Sequence, residues 1–332
     1  MERLLEIKDL YVQYETDDGV IYAVNGLDVW VNKGETLGLV GETGAGKTTS
    51  ALSILKLLPD RIGKITKGSI VLDGIDIIHS SETEMQKIRG NKVSMIFQDP
   101  MTSLNPILPV GDQIEEVLKL HRNMSKQERS KQVDAIMEMV GLPAERKTDY
   151  PHQFSGGMKQ RIVIAMALAC EPQLLLADEP TTALDVTIQA QVLQLMNNLK
   201  QKLDMAMLLI THDLGIVAQT CDRVAVMYSG EVIEIGTVQD IFESDKHHPY
   251  TVGLFGSIPD MEKETKRLQP IPGLMPDPSI LYSGCRFSDR CPHCAEECRQ
   301  KKPALFVEGT HRIWCNRFAV KDAQNDSGGM TE

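Results

Sequence analysis

No apolar run in this sequence approaches the roughly 18 residues needed to cross a bilayer. The opening Met1-Glu2-Arg3-Leu4-Leu5 lacks the charged-then-apolar layout of a secretory leader. The chain is therefore expected in the cytoplasm, or on a membrane only through other proteins. Positive charge is scarce as well: 35 Lys and Arg against 46 Asp and Glu leave a formal net charge of −11. Without a broad cationic surface to displace counterions, bulk nucleic-acid binding is excluded, whereas a protein partner or a local basic patch is not. Cysteine is nearly missing from the first four fifths of the chain. Only Cys170 and Cys221 lie there, isolated in apolar or helical surroundings, and they read as small core residues. A length of 332 residues is enough for two or three domains and a large core.

What is present starts with Gly41-Glu42-Thr43-Gly44-Ala45-Gly46-Lys47-Thr48, which fills every fixed position of the P-loop template. It lies between an apolar run at 36–40 and a helical pattern at 49–58, the strand–loop–helix context the motif needs. Glycines let the backbone wrap a phosphate, so that successive N–H groups, from Gly41, Thr43, Gly44, Ala45 and Gly46 onward to Thr49, point at the anion. Lys47 would reach the β- and γ-phosphates and the Thr48 hydroxyl would ligate Mg²⁺. The chain is expected to bind a nucleoside triphosphate.

Residues 5–14 and 20–30 read as strands of a hairpin turned at Asp17-Asp18-Gly19. A strand at 92–97 ends at Gln98, and from 99 to about 161 amphipathic helices take over, at 111–121 and 125–140. Strand–helix alternation then resumes: strands at 174–177, 205–210, 223–228 and 231–235, helices at 186–203 and from Asp213. This pattern predicts an α/β core with a largely parallel sheet and a helical lobe inserted at 99–161. Beyond Ile258 the chain is rich in Pro, Gly and Cys without periodicity, and 322–332 is a polar tail expected to be disordered.

Leu174-Leu175-Leu176-Ala177 runs directly into Asp178-Glu179, a composition suited to a central strand buried on both faces. Asp178 at its carboxyl end would bind Mg²⁺, directly or through water, and Glu179 would polarise the attacking water. Gln98 and His212 each follow another strand, where Gln98 could touch metal and water and His212 could hold the γ-phosphate. Ligands of open α/β sheets gather at the carboxyl ends of the strands, so these residues and the P-loop are expected to form one hydrolytic site.

Phe154-Ser155-Gly156-Gly157-Met158-Lys159-Gln160-Arg161 resembles the signature motif of ATP-binding-cassette proteins, and Thr182-Ala183-Leu184-Asp185 resembles their D-loop. The resemblance covers about residues 4–260. It implies a P-loop NTPase fold with a RecA-like core, an antiparallel β subdomain and an inserted helical subdomain, followed here by a small Cys-rich C-terminal domain at 261–321. Two cassettes would dimerise head to tail, with Ser155, Gly156, Gly157 and Gln160 facing the partner's ATP. By position in the family pattern Tyr14 would stack on adenine, with Tyr22 as the alternative. Gln98-Asp99-Pro100-Met101-Thr102-Ser103-Leu104-Asn105-Pro106 and His248-Pro249-Tyr250-Thr251 resemble the importer ATPases for oligopeptides, dipeptides, nickel and related solutes, and Met101, Met158 and Met166 resemble the D-type partner. That implies an ATPase peripheral to the cytoplasmic face of the membrane, working with an F-type ATPase, two permeases and, indirectly, an external solute-binding protein, and with no nucleic acid. The alternative is a soluble cassette ATPase in a non-transport process.

The cysteine spacing is Cys285-x5-Cys291-x2-Cys294-x3-Cys298-x16-Cys315. A reducing cytoplasm disfavours disulfides. Cys291-Pro-His-Cys294 with Cys298 could imitate a zinc knuckle. The subfamily resemblance instead implies Cys285, Cys291, Cys298 and Cys315 as ligands of a [4Fe–4S] cluster, with Cys294 a spare thiol or alternative ligand. Zinc and free thiols stay open.

Overall fold

In a computed structural model, the structure describes residues 2–182, 184–257 and 270–318. The chain opens with two long strands, β1 (Arg3–Thr16) and β2 (Gly19–Asn32), then β3 (Thr36–Val40), the P-loop and α1 (Lys47–Ile54). There follow β4 (Gly63–Leu72), β5 (Ile75–Asp76), α2 (Glu82–Ile88) and β6 (Val93–Ile96). A helical block comes next: α3 (Pro100–Ser103), α4 (Val110–His121), α5 (Lys126–Met139) and α6 (Gly156–Leu168). Alternation returns with β7 (Leu174–Asp178), α7 (Val186–Lys202), β8 (Ala206–Thr211), α8 (Leu214–Thr220), β9 (Arg223–Tyr228), β10 (Glu231–Thr237), α9 (Val238–Glu243) and α10 (Pro249–Gly256). Past residue 270 lie α11 (Glu296–Gln300), β11 (Leu305–Glu308) and β12 (His311–Trp314).

Two sheets organise these elements. The smaller is antiparallel, in the order β2-β1-β4-β5, and the larger runs β11-β12-β10-β9-β3-β8-β7-β6. From β9 to β6 every pairing in the larger sheet is parallel. Every residue of β3, β7 and β8 is buried, which explains their unbroken apolar runs: the small sheet packs on one face, and on the other the helical block and α7 cover β7 and β8 while α8 covers β3. Parallel neighbours end on the same edge. The carboxyl ends of β3, β8, β7 and β6 therefore stand side by side, and whatever follows each strand is brought to one place.

The Cys-rich segment, expected as a separate domain, has no core of its own among the described residues. β12 pairs with β10 and extends the main sheet, and Phe287 packs with Tyr228 and Tyr250 in the cluster under α8, α9 and α10. Phe287 meets Tyr228 edge-on with ring centroids 5.2 Å apart. Its apolar anchor belongs to the ATPase core. The expected tail at 322–332 lies outside the described residues, as does Ala183 of the D-loop segment.

Candidate nucleotide site

Gly46, the N-cap of α1, has φ +97°, and a Cβ there would sit 2.4 Å from the carbonyl oxygen of Ala23. Only glycine lets the loop pass so close to β2. No side chain caps α1, and its first turn carries no acid, so its leading N–H groups are left for an anion. By contrast α2, α5 and α9 close their N-termini with capping boxes.

Around this turn lies a cavity of about 450 Å³. Thr43, Gly44, Ala45, Gly46, Lys47, Thr48 and Thr49 line it, together with Gln98, Asp178, Glu179 and His212 from the three neighbouring strand ends. Lys47 is buried, and its Nζ donates to the carbonyls of Gly41 at 2.7 Å and Glu42 at 3.0 Å. Burial pulls its ammonium down, opposed by the charges of Glu179, Asp178 and Glu42. The Thr48 hydroxyl donates to Asp178 Oδ2 at 2.7 Å. Burial raises the Asp178 carboxyl, and the neighbouring Glu179 charge adds to this against the Thr48 hydrogen bond. A divalent cation between Thr48 and Asp178 would reverse that penalty by compensating the buried charge.

Glu179 has the left-handed φ of +46°, and its main-chain N–H donates to Ile210 of β8 at 2.8 Å. Its carboxylate collects three hydrogen bonds of 3.0 Å each, from Gln98 Nε2, Thr182 Oγ1 and His212 Nδ1. Burial raises its pKa, but the bonds from His212, Thr182 and Gln98 outweigh this and hold it below the ordinary carboxylate value. Glu179 is therefore ionised and oriented, as a proton acceptor near neutral pH must be.

Two expected residues are placed elsewhere. Tyr14 does not line the cavity; its hydroxyl shares a hydrogen bond of 3.0 Å with Thr49 Oγ1, and its ring packs near Gly63. Tyr22 takes the cavity wall instead, flanked by Ile21 and Ala23. Gln160 is wholly buried, so its side chain is not on any surface that could meet a partner's nucleotide. Ser155 and Gly156 are exposed and outside the cavity, and Ser155 makes no side-chain cap to α6 despite its N-cap position. A Cβ on Gly157 would meet Ile188 Cγ2 at 2.5 Å, so this glycine lets α6 sit against the start of α7.

Sequence reasoning missed Met275, Pro276 and Pro278, which line the same cavity from beyond the cassette motifs. It also missed a buried cluster in which His247 Nδ1 and His311 Nε2 each lie 2.8 Å from Glu234 Oε1. The other Glu234 oxygen accepts from the His248 N–H at 2.7 Å. His248 Nδ1 caps α10, Pro249 starts it, and the hydroxyl of Tyr250 accepts from the Glu42 N–H at 2.9 Å. The His-Pro-Tyr motif thus joins β10 to the P-loop.

Cys285, Cys291, Cys298 and Cys315 line one small cavity of about 20 Å³, and Cys294 does not. Cys294 Sγ instead lies 3.5 Å from the carbonyl of Ala295. Burial pushes the Cys285 thiol up to about 12 and raises Cys291 and Cys315 as well. Among the described residues the one group of three or more metal-ligand side chains converging within 4.8 Å is Glu234, His247 and His311.

The oligopeptide/dipeptide transporter C-terminal region matches residues 233–298, and the ABC transporter family matches residues 24–182. The dipeptide transport ATP-binding protein DppD of Bacillus subtilis is 49% identical over 318 residues, 95% of each chain. This chain belongs to the ATP-binding-cassette transporter family. The oligopeptide transport ATP-binding protein AppD of Bacillus subtilis is also 49% identical, over 98% of this chain and 99% of its own. Among solved structures, a dimeric ATP-binding cassette in a post-hydrolysis state with ADP and Pi matches with a TM-score of 0.63 and 30% identity, over 70% of this chain and 98% of that one. As an ABC-type ATPase the chain binds and hydrolyses ATP. Among the described residues no helix is long and apolar enough to cross a membrane.

Proposed function

We propose that this chain is the ATP-hydrolysing subunit of a multisubunit importer for di- or oligopeptides, at the cytoplasmic face of the membrane. The carrying observation is the convergence of Lys47, Thr48, Asp178, Glu179, Gln98 and His212 on one cavity. Lys47 and the α1 N-terminus would hold the β- and γ-phosphates, while Thr48, Asp178 and Gln98 would hold Mg²⁺, which supplies Lewis-acid polarisation of the phosphoryl oxygens. Glu179 would take the proton of the attacking water and His212 would orient it and the γ-phosphate.

The uncapped turn at Ser155-Gly156-Gly157, with Ser155 and Gly156 exposed, would serve the ATP held by a second, F-type cassette, and that cassette would return the same service. A groove of about 280 Å³ lies beside the Gln98 segment, walled by Leu57, Phe97, Val117, Val163 and Met166, with Leu57 and Phe97 exposed. A helix from one of two permeases would dock there, with the other permease on the second cassette. Closure of the nucleotide sandwich would be converted into alternating access, with an external binding protein delivering the solute. The relatives named above are transport proteins, which counts against a soluble role. The four thiols around one cavity support a [4Fe–4S] cluster in the C-terminal segment. Four sulfurs about 2.3 Å from a single zinc would lie within about 4 Å of one another, closer than any three of these do. A four-iron cluster spreads its thiolates over separate irons. Any such cluster would be structural, stapling a segment with little core of its own.

The test is purification of the assembled complex in detergent. Co-purification with two polytopic proteins and ATPase activity stimulated by peptide-loaded binding protein is expected. A chain that purifies without membrane partners, with peptide-indifferent activity, would overturn the importer reading.

A further inference from the structure

The cavity has two chemically different walls. One is phosphate chemistry: the uncapped α1 turn, Lys47, and the acids Asp178 and Glu179 at the end of β7. The other is apolar: Ile21 and Tyr22 of β2, faced by Met275, Pro276 and Pro278 from beyond the cassette. Leu274 is 90% exposed, whereas Met275 and Pro276 are half-buried and line the cavity, and Met275 Sδ accepts from Arg290 Nη1 at 3.4 Å.

This segment is held at both ends of the site. The Tyr22 N–H donates to the Pro278 carbonyl at 2.8 Å, docking it on the hairpin. Arg290, itself buried, fixes the other end: Nε donates to the Pro272 carbonyl at 3.0 Å and Nη2 to the Ile271 carbonyl at 3.2 Å. The same guanidinium grips the P-loop residue Glu42 with both terminal nitrogens, at 2.7 and 3.2 Å. A planar fork with five donors suits this bridging of carbonyls and a carboxylate, and an ammonium does not. Since Glu42 is also fixed through its N–H by Tyr250, the P-loop is braced twice from the C-terminal side.

We propose that residues 270–278 form a strap that completes the base pocket, with Met275 and Pro276 covering a purine opposite Tyr22 and Arg290 latching the strap to the P-loop. The inference rests on the reading of this cavity as the ATP site. The strap contributes affinity by burying the flat apolar face of the base, and the phosphates do not touch it.

The experiment is calorimetric titration of the full chain with MgATP and with magnesium tripolyphosphate, which has the phosphates and no base. In the Met275→Ala/Pro276→Ala double variant, ATP affinity should fall about fivefold while tripolyphosphate affinity stays within about twofold. Arg290→Lys should show the same base-selective loss, since it keeps the charge and loses the fork. Unchanged ATP affinity in the double variant would overturn the strap, and so would equal losses for both ligands. Failure of the unaltered chain to bind either ligand would instead overturn the nucleotide-site reading itself, and the strap with it.

Discussion

The hydroxyl of Thr48 donates to a carboxylate oxygen of Asp178 across 2.7 Å, closing a gap of 130 residues in sequence. Thr48 lies in the first turn of α1 and Asp178 ends β7, and in the proposed function their oxygens would share a cation. Thr48→Val keeps the shape and removes the oxygen. MgATP affinity is expected to fall about tenfold, the value of one hydrogen bond or ligand at a charged site, while magnesium-free ATP binding changes little. Titrations with and without magnesium decide it, and equal losses would mean that the hydroxyl serves only the fold.

Glu179, proposed above as the proton acceptor, is held in the site by three hydrogen bonds. Glu179→Gln keeps the volume and removes the base. Turnover by the assembled complex should fall at least about a hundredfold with ATP still bound. Undiminished steady-state activity would reassign the chemistry to the partner cassette's site.

Much of this site was legible because its parts are local. A P-loop is a contiguous string, and adjacent parallel strands with buried apolar sequences force Gln98, Asp178, Glu179 and His212 onto one edge. What the sequence does not show is long-range or depends on register. The position in the family pattern points to Tyr14 with Tyr22 as the alternative, and here Tyr22 lines the cavity while β1 shifts register between Leu10 and Tyr11 and again between Val12 and Gln13. Each bulge re-aims the residues after it. β11 and β12 were missed because four-residue strands carrying Glu308, His311 and Arg312 have little propensity signal; their order comes from pairing with each other and with β10. Likewise Glu234, His247 and His311 share no local pattern, and only the folded chain brings them together.

Gly157 is required by a contact rather than by φ. Gly157→Ala would place a methyl about where Ile188 now sits and should destabilise the α6–α7 junction by roughly 1–3 kcal/mol, the usual cost of overpacking. Adding Ile188→Ala should recover most of that loss. Thermal unfolding of the two single variants and the double variant checks it, and additive losses would show that the two side chains do not compete for the same space.

Cys294 stands outside the cavity that the other four C-terminal thiols line. After anaerobic purification the chain is expected to hold about four irons and four acid-labile sulfides. Cys294→Ser should retain them, and Cys298→Ser should lose most of them together with the visible charge-transfer absorption. One zinc without sulfide would replace the cluster with a structural zinc site and bring Cys294 back as a ligand.

The Glu234 cluster gives the protein a pH window with two edges. Burial alone would raise the Glu234 carboxyl, but hydrogen bonds from His247, His311 and the His248 N–H hold it down to about 2, against an ordinary 4.5. A depressed carboxyl stabilises the fold fully above its unfolded value, and this contribution is lost as pH falls from about 4.5 toward 2. For His247 burial lowers the pKa, but the Glu234 hydrogen bond and charge overcome it and leave the pKa raised from 6.5. Its contribution is complete below 6.5 and is lost as pH rises through the raised value. Both contributions are complete together only between about 4.5 and 6.5. Glu234→Gln removes the charge and replaces one of the two acceptor oxygens with an NH2 donor. One oxygen is then left for the two histidines and the His248 N–H, and the change should cost about 3 kcal/mol within that window. The loss should shrink toward acid, where the native chain protonates Glu234, and toward base, where His247 gives up its proton. Chemical denaturation of both proteins across pH 3–9 measures the difference. A loss constant with pH would show that Glu234 acts there by packing alone.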